Sequence, residues 1–312
     1  MKFLVTGGAG FLGAALVNRL LEMGEHVRVL DDLSAGDQSR LDSRAVFTRG
    51  DTRDIPKLWS LLKGVDCVYH LAARVSVQES ILYPVEYNEV NVGGTVSLMT
   101  AVRDARVKRV VLASSGAAYG EQKDQPVRET ARLNPQSPYA VSKMAAEGYV
   151  QALGQLWGIE TVVLRIFNTY GPGQNIPPTH APVIPHFLKQ ILAGGSLVTH
   201  GSGQQSRDFA YVRDVVDAMV AAGRVNGVDR AVINVGSGRE VTIAELIRVM
   251  EKVTGRRAHS LINQEESGGV SRLVADISLA QDRLNFRPQV DLETGLKHTL
   301  TQDPRFGPSG RR

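Results

Sequence analysis

A strand-length apolar run, Lys2–Thr6, leads into Thr6-Gly7-Gly8-Ala9-Gly10-Phe11-Leu12-Gly13, and an amphipathic stretch, Phe11–Met23, follows. Glycines at a strand-to-helix junction permit a tight turn and let the backbone come close to a ligand. The helix start offers free N–H groups and a positive dipole end, which suit a pyrophosphate. Gly7, Gly10, Phe11, Leu12 and Gly13 are therefore candidate contacts to a dinucleotide. A second apolar run, His26–Asp31, ends on a carboxylate about twenty residues further on. Asp31 there favours a free ribose 2′-hydroxyl, as in NAD, over a 2′-phosphate. An ordinary turn and a solvated strand end are the bland alternatives.

The same alternation continues. Ala45–Thr48, Asp66–His70, Arg109–Ser114 and Thr161–Phe167 read as further strands, with helices over Pro56–Leu62, Pro84–Asp104 and Pro138–Trp157 between them. Continuous apolar strands separated by helices imply a parallel sheet covered on both faces, a doubly wound α/β fold. Asp51 and Thr52 follow the third strand, and Leu71, Ala72 and Ala73 follow the fourth, with Asn91 in the helix facing that turn. Cofactor contact is one reading of these positions; packing or capping explains them equally well.

After Gly171 the texture changes to a Pro/Gly-rich loop and shorter elements. Helices are expected near Val183–Ala193, Val212–Gly223, Ile243–Thr254, Ser278–Asn285 and Leu292–Thr299, and strands near Ser196–His200 and Ala231–Val235. Residues 1–170 thus read as the dinucleotide-binding domain, with elements near 205–240 returning to it. Residues 171–303 read as a smaller substrate-binding lobe, and residues 304–312 as a disordered tail.

Ser137-Pro138-Tyr139 opens the last helix of the first half, since Ser caps and Pro fits the first turn. Tyr139 and Lys143, four apart, share one face. A cation at about 6 Å in an effective dielectric of about 20 favours a phenolate by about 3 kcal/mol, roughly two pKa units. Lys143 and an oxidised nicotinamide together would bring such a phenol towards neutrality, making Tyr139 a general base. A packed tyrosine beside an unrelated lysine is the plain alternative.

With 43% hydrophobic and 22% charged residues, the chain has enough apolar matter for a large core. The net charge of +4 is spread along it, apart from the terminal Arg311-Arg312, so no nucleic-acid partner is expected. Cys67 is the single cysteine and lies in a strand, which excludes an intrachain disulfide and a thiolate metal cluster; no metal is expected, and a reducing cytoplasm fits. No stretch is apolar for long enough to span a bilayer, and the N-terminal run lacks a plausible cleavage site, so no leader is expected.

Further motifs extend the pattern: Ser114-Ser115 with Tyr119-Gly120, Arg165-x-Phe167-Asn168-x-Tyr170-Gly171-Pro172-Gly173, and Arg207-Asp208-Phe209-x-Tyr211-Val212-x-Asp214. With the glycine turn, Leu71–Ala73 and the Tyr139/Lys143 pair, the chain resembles the extended short-chain dehydrogenase/reductases that modify nucleotide-sugars. The resemblance implies a Rossmann fold, bound NAD, a UDP-sugar substrate and a homodimer formed through Pro84–Asp104 and Pro138–Trp157. It implies Ser115, Tyr139 and Lys143 as catalytic residues. Asn168 and Arg207 would hold the substrate's phosphate end, although an ion pair with Asp208 also accounts for Arg207.

Departures within the family narrow the reaction. Gly116 and Ala117 follow Ser115 where the sugar 4,6-dehydratases carry an Asp-Glu pair and the glucuronate decarboxylases keep a Glu. Neither residue carries a proton, and the segment is similar to that of UDP-galactose 4-epimerases. NAD-dependent 4-epimerisation of a UDP-hexose through a transient 4-keto sugar is the implied activity. Its rivals are a decarboxylase, dehydratase, 4-ketoreductase or UDP-glucuronate 4-epimerase, and, in another class, a non-catalytic dinucleotide sensor. Asn175 replaces the Arg that glucuronate epimerases place after the Gly-Pro-x-Gln turn. Glu266 stands where epimerases often carry a diphosphate Arg, and Arg272 is the candidate replacement. Leu273, of intermediate size, leaves acceptance of an N-acetyl sugar open.

Overall fold

A computed structural model describes residues 1–200, 203–263 and 270–307. In the first half, strands β1 (Lys2–Thr6), β2 (His26–Asp31), β3 (Val46–Arg49), β4 (Cys67–His70) and β5 (Arg109–Ser115) alternate with helices α1 (Phe11–Glu22), α2 (Ile55–Leu62), α3 (Val77–Leu82), α4 (Pro84–Asn88) and α5 (Gly94–Ala105). Helix α6 (Pro138–Trp157) and strands β6 (Glu160–Ile166) and β7 (Asn168–Tyr170) follow. The second half contains α7 (Val183–Ala193), β8 (Ser196–His200), β9 (Ser206–Arg207), β10 (Phe209–Tyr211), α8 (Val212–Ala222), β11 (Ala231–Val235), β12 (Val241–Thr242), α9 (Ile243–Thr254), β13 (His259–Asn263), β14 (Arg272–Leu273), α10 (Ser278–Leu284) and α11 (Leu292–Gln302).

Among the described residues, seven parallel strands form the main sheet in the order β11-β6-β5-β4-β1-β2-β3. Its central strands are apolar on both faces, as helices on each side require: Phe3, Leu4, Val5, Val68, Val110 and Val111 are fully buried. The fold is the doubly wound α/β class. β11 comes from the second half of the chain to pair with β6. α8 packs against α1, on the same face of the sheet.

The single helix expected over Pro84–Asp104 is three pieces. A π-helical turn, Glu89–Gly93, separates α4 from α5. A residue in a π turn is displaced from the regular helical ladder. Here Asn91 becomes 2% exposed and turns its amide inward. Gly94 opens α5, and a Cβ there would lie 2.5 Å from the Thr52 hydroxyl, so glycine is the residue that fits.

The expected tail also differs. Asp303 accepts from the Gly173 N–H at 2.8 Å, Arg305 donates to the Gln174 carbonyl at 2.7 Å, and Phe306 is 3% exposed. Burial of Phe306 anchors residues 304–307 as an ordered turn. Residues 308–312 and Glu266 lie outside the described residues.

Candidate functional site

The candidate residues collect where strands β1, β2, β4, β5 and β6 end, the side on which a doubly wound sheet forms its crevice. The glycine turn lies between β1 and α1. Gly7 has φ +68°, and a Cβ there would fall 2.6 Å from the Ala72 nitrogen. The Leu71–Ala73 segment therefore packs directly on the turn. α1 begins at Phe11 with no side-chain cap and no acidic residue in its first turn. Its first N–H groups are thus left for an outside acceptor.

Asp31 is no solvated strand end. It is 7% exposed and accepts from the Ala9 N–H and the Leu33 N–H, each at 2.9 Å. A carboxylate has more acceptor positions than these two, so a sugar hydroxyl remains an acceptable partner. This donor set and carboxylate fit the pyrophosphate and ribose of a dinucleotide. Asp51 is engaged by Arg53, whose guanidinium reaches it at 2.6 Å and holds its carboxyl below the usual range. Thr52 is 5% exposed and packs against Gly94. For both, a packing role is visible in the structure.

β5 and α6 bring Ser115, Tyr139 and Lys143 together. Ser137 caps α6 by accepting from the Ala140 N–H at 3.1 Å, as the Ser-Pro start dictates. Ser115 ends β5 and caps the 3-10 turn Gly116–Tyr119, accepting from the Ala117 N–H at 3.1 Å. That bond fixes its hydroxyl, which lies near enough to the Tyr139 phenol to favour the phenolate. Lys143 donates to the Ala113 carbonyl at 2.9 Å and is 6% exposed.

Electrostatics here differ from the sequence expectation. Burial raises the Tyr139 phenol above its ordinary value, and the neighbouring Ser115 hydroxyl opposes the rise. Burial also pushes Lys143 down to about 8, against the charge of Glu147. The chain's own groups thus shift both residues towards their neutral forms. Ionisation of Tyr139 needs positive charge beyond what the protein supplies.

Two hydrogen-bond systems support this centre, and the sequence reading missed both. In the first, His70 is fully enclosed between the Thr6 hydroxyl at 2.7 Å and the Thr95 hydroxyl at 2.9 Å. Thr95 donates to the Asn91 carbonyl at 2.6 Å, so it accepts from Nε2–H of a neutral imidazole. The Asn91 amide donates to Ser142 at 2.9 Å, and Ser142 to the Tyr139 carbonyl at 2.8 Å. A continuous chain of bonds runs from the glycine turn to the helix of Tyr139. In the second, Glu147 pairs with Arg165 at 2.8 Å, both nearly buried, and accepts from Ser114. Arg165 continues to the Tyr119 hydroxyl at 2.9 Å, which donates to Asn234 at 2.7 Å. The one signal that could have found Glu147 was its spacing, one helical turn beyond Lys143.

The substrate-side candidates separate. Asn168 begins β7 with its side chain exposed. The Arg207–Asp208 ion pair does not form. Asp208 is fully buried and accepts from Ser237 N–H, Ser237 hydroxyl, Gly238 N–H and Ala275 N–H. Arg207 instead donates to the Ser206 carbonyl at 2.7 Å, and burial lowers its affinity for its proton. In the sheet β12-β9-β14, Arg207 aligns with Val241 and Leu273, whereas Arg272 aligns with Ser206 and Thr242. Adjacent residues in a strand face opposite ways, so the two arginines lie on opposite faces. Arg272 is held in a two-point pair by Glu240, both bonds 2.6 Å.

Comparison with known proteins agrees with this architecture. A UDP-glucose 4-epimerase of Mycolicibacterium smegmatis is 37% identical over 308 residues, covering 96% of this chain and 97% of that protein. The crystal structure of a Thermotoga maritima UDP-glucose 4-epimerase with UDP-glucose superimposes with a TM-score of 0.92 at 34% identity, over 96% of this chain and 97% of the other. A Thermus thermophilus UDP-glucose 4-epimerase in complex with NAD gives 0.89 at 32% identity, over 96% and 98%. Residues 3–236 match the NAD dependent epimerase/dehydratase family. With a doubly wound sheet, an uncapped glycine turn and Ser115, Tyr139 and Lys143 gathered at the end of β5, the chain belongs to that family.

Proposed function

We infer that this protein is an NAD-dependent 4-epimerase of UDP-hexoses. One observation carries the reading: Tyr139 and buried Lys143, one turn apart on α6, meet the end of β5, where the Ser115 hydroxyl neighbours the phenol and Lys143 donates to the Ala113 carbonyl, and the residues after Ser115 are Gly116 and Ala117. A base is present, and no further acid accompanies it for loss of water.

Gly7, Gly10, Phe11, Leu12 and Gly13 would hold the dinucleotide's pyrophosphate, Asp31 its ribose, and Leu71–Ala73 would border the crevice. Bound NAD supplies a hydride acceptor that can return the hydride. Lys143 brings a fixed positive charge into a site from which water is excluded, where charge acts strongly. Ser115 orients the reacting sugar oxygen, and Tyr139 removes and later restores its proton. Asn168 and Arg207 would hold the diphosphate; Arg207 presents a guanidinium with no carboxylate partner among its hydrogen bonds. Arg272 serves the diphosphate only after leaving Glu240, so Arg207 is the better candidate.

A homodimer is part of this proposal, with a revised surface. Leu98, Met99, Ala101 and Val102 of α5 are buried within the chain. Exposed apolar side chains lie instead on α3, α4 and the outer face of α6: Ile81, Leu82, Val85, Val141, Tyr149 and Leu156. Patches of this kind mark interfaces. No helix among the described residues is long and apolar enough to cross a membrane. Burial pushes the Cys67 thiol up to about 12, so it is inert. The cytoplasm is the proposed location.

Purified protein incubated with UDP-galactose, without added acceptor, should yield UDP-glucose of unchanged mass by NMR and mass spectrometry. No interconversion of these sugars or of their N-acetyl analogues rejects the reading.

A further inference from the structure

Lys143 is a buried cation with one acceptor on its ammonium among the described residues, the Ala113 carbonyl at 2.9 Å. A buried charge is costly unless a counter-charge is near. One turn along the same helix, the Glu147 carboxylate is fixed from two sides. Arg165 grips it with Nη2 at 2.8 Å and Nε at 3.2 Å, and the Ser114 hydroxyl donates to it. Ser114 lies between Ala113, which receives the lysine, and Ser115, which meets Tyr139. Arg165 is held in turn by the Tyr119 hydroxyl at 2.9 Å and the Glu129 carbonyl at 3.2 Å. The clamp therefore touches the helix of Lys143 and the strand end of Ser115 together.

We propose that Glu147 is a positioning residue which, clamped by Arg165 and Ser114, keeps Lys143 in its ammonium form and holds the Ser115 strand end against Tyr139. This rests on the epimerase reading and deepens it. Among the described residues, the titratable groups that act on Lys143 are Glu147 on α6 and His70 on β4, with Tyr139 one turn before it on α6. Further out lie Arg165 on β6, Tyr119 on the 3-10 turn, and Tyr87 with Glu79 on the α3–α4 segment. Burial moves Lys143 down to about 8, and Glu147 is the charge that favours its protonated form. Without that charge the ammonium is lost at lower pH.

Epimerisation is followed from pH 6 to 10 in wild type, E147Q, E147D and the double variant E147Q/R165M, which leaves the interior neutral. The alkaline limb of kcat should move down by about one pH unit in E147Q and in the double variant. E147D, with its charge kept but set back, should fall between these and wild type. The loss in E147Q should be about eightfold at pH 8.5 and only about 1.3-fold at pH 6.5. NMR of 15Nζ-labelled lysine, assigned with K143M, reads the same titration without turnover. Folded variants whose limb and lysine titration match wild type overturn the proposal, whatever their melting temperatures. If neither E147Q nor the double variant folds, E147D decides, and an unmoved limb there overturns it. A wild-type protein that epimerises nothing rejects the activity reading instead, and the lysine titration still judges Glu147.

Discussion

The two ends of the proposed crevice are built differently. The nucleotide half rests on four- to seven-residue strands in parallel register and on buried bonds that run from Thr6 through His70, Thr95, Asn91 and Ser142 to Tyr139. The substrate arm rests on β9, β12 and β14, two residues each, with Arg207 on one face and Arg272 on the other. Dense support fixes chemistry in the first region. In the second, a one-residue change of position moves a charge to the opposite side of the sheet.

Tyr139→Phe should give the largest effect, a fall in kcat of about a thousandfold with the melting temperature nearly unchanged. Turnover within tenfold of wild type would remove the reason for treating the rigid half as the chemical one. Next is the acid limb of stability. Burial pushes His70 down to about 3, whereas an unfolded chain takes up that proton near pH 6.5. The contribution is therefore intact above pH 6.5 and is lost as pH falls, by about 1.4 kcal/mol per unit until about pH 3. Urea unfolding at pH 7, 5 and 4 should show that slope, and His70→Asn should flatten it by one proton while lowering stability at pH 7. Identical slopes would show that the relay is not held by a neutral imidazole.

The smallest effects sharpen the other side of the comparison. Arg207→Ala should raise KM for the UDP-sugar by about ten- to hundredfold, since a hydrogen bond to a charged group is worth about 1.5–3 kcal/mol. Arg272→Ala should change KM by about twofold or less, because the pair it loses is exposed. The reverse order of effects would mean that the Glu240 pair opens when substrate binds.

Much of the nucleotide half was legible in the sequence because period and spacing act locally there. Gly7–Gly13, Asp31 and the Tyr139/Lys143 pair each follow from one element and its cap. His70 was not legible: inside a strand it reads as one more core residue, and only the parallel register pairing Thr6 with His70 gives it a partner. Glu147 was hidden similarly, since its partner Arg165 comes from β6. The π turn escaped because Pro84–Asp104 carries an unbroken helical pattern, and the gain from turning Asn91 inward lies in Arg74 and Ser142. In the substrate arm, two-residue strands are too short for alternation to register, so sequence distance could not tell Arg207 from Arg272.

The Asp303–Phe306 turn ties the last described residues to Gly173 and Gln174. That loop in turn grips the segment after β2, through Arg40 to the Gly173 carbonyl at 2.6 Å and Asn175 to the Ala35 carbonyl at 2.7 Å. The ring of contacts that joins the segment after β2 to the Gly173–Asn175 loop and the Asp303–Phe306 turn therefore closes only once Arg305 has been synthesised.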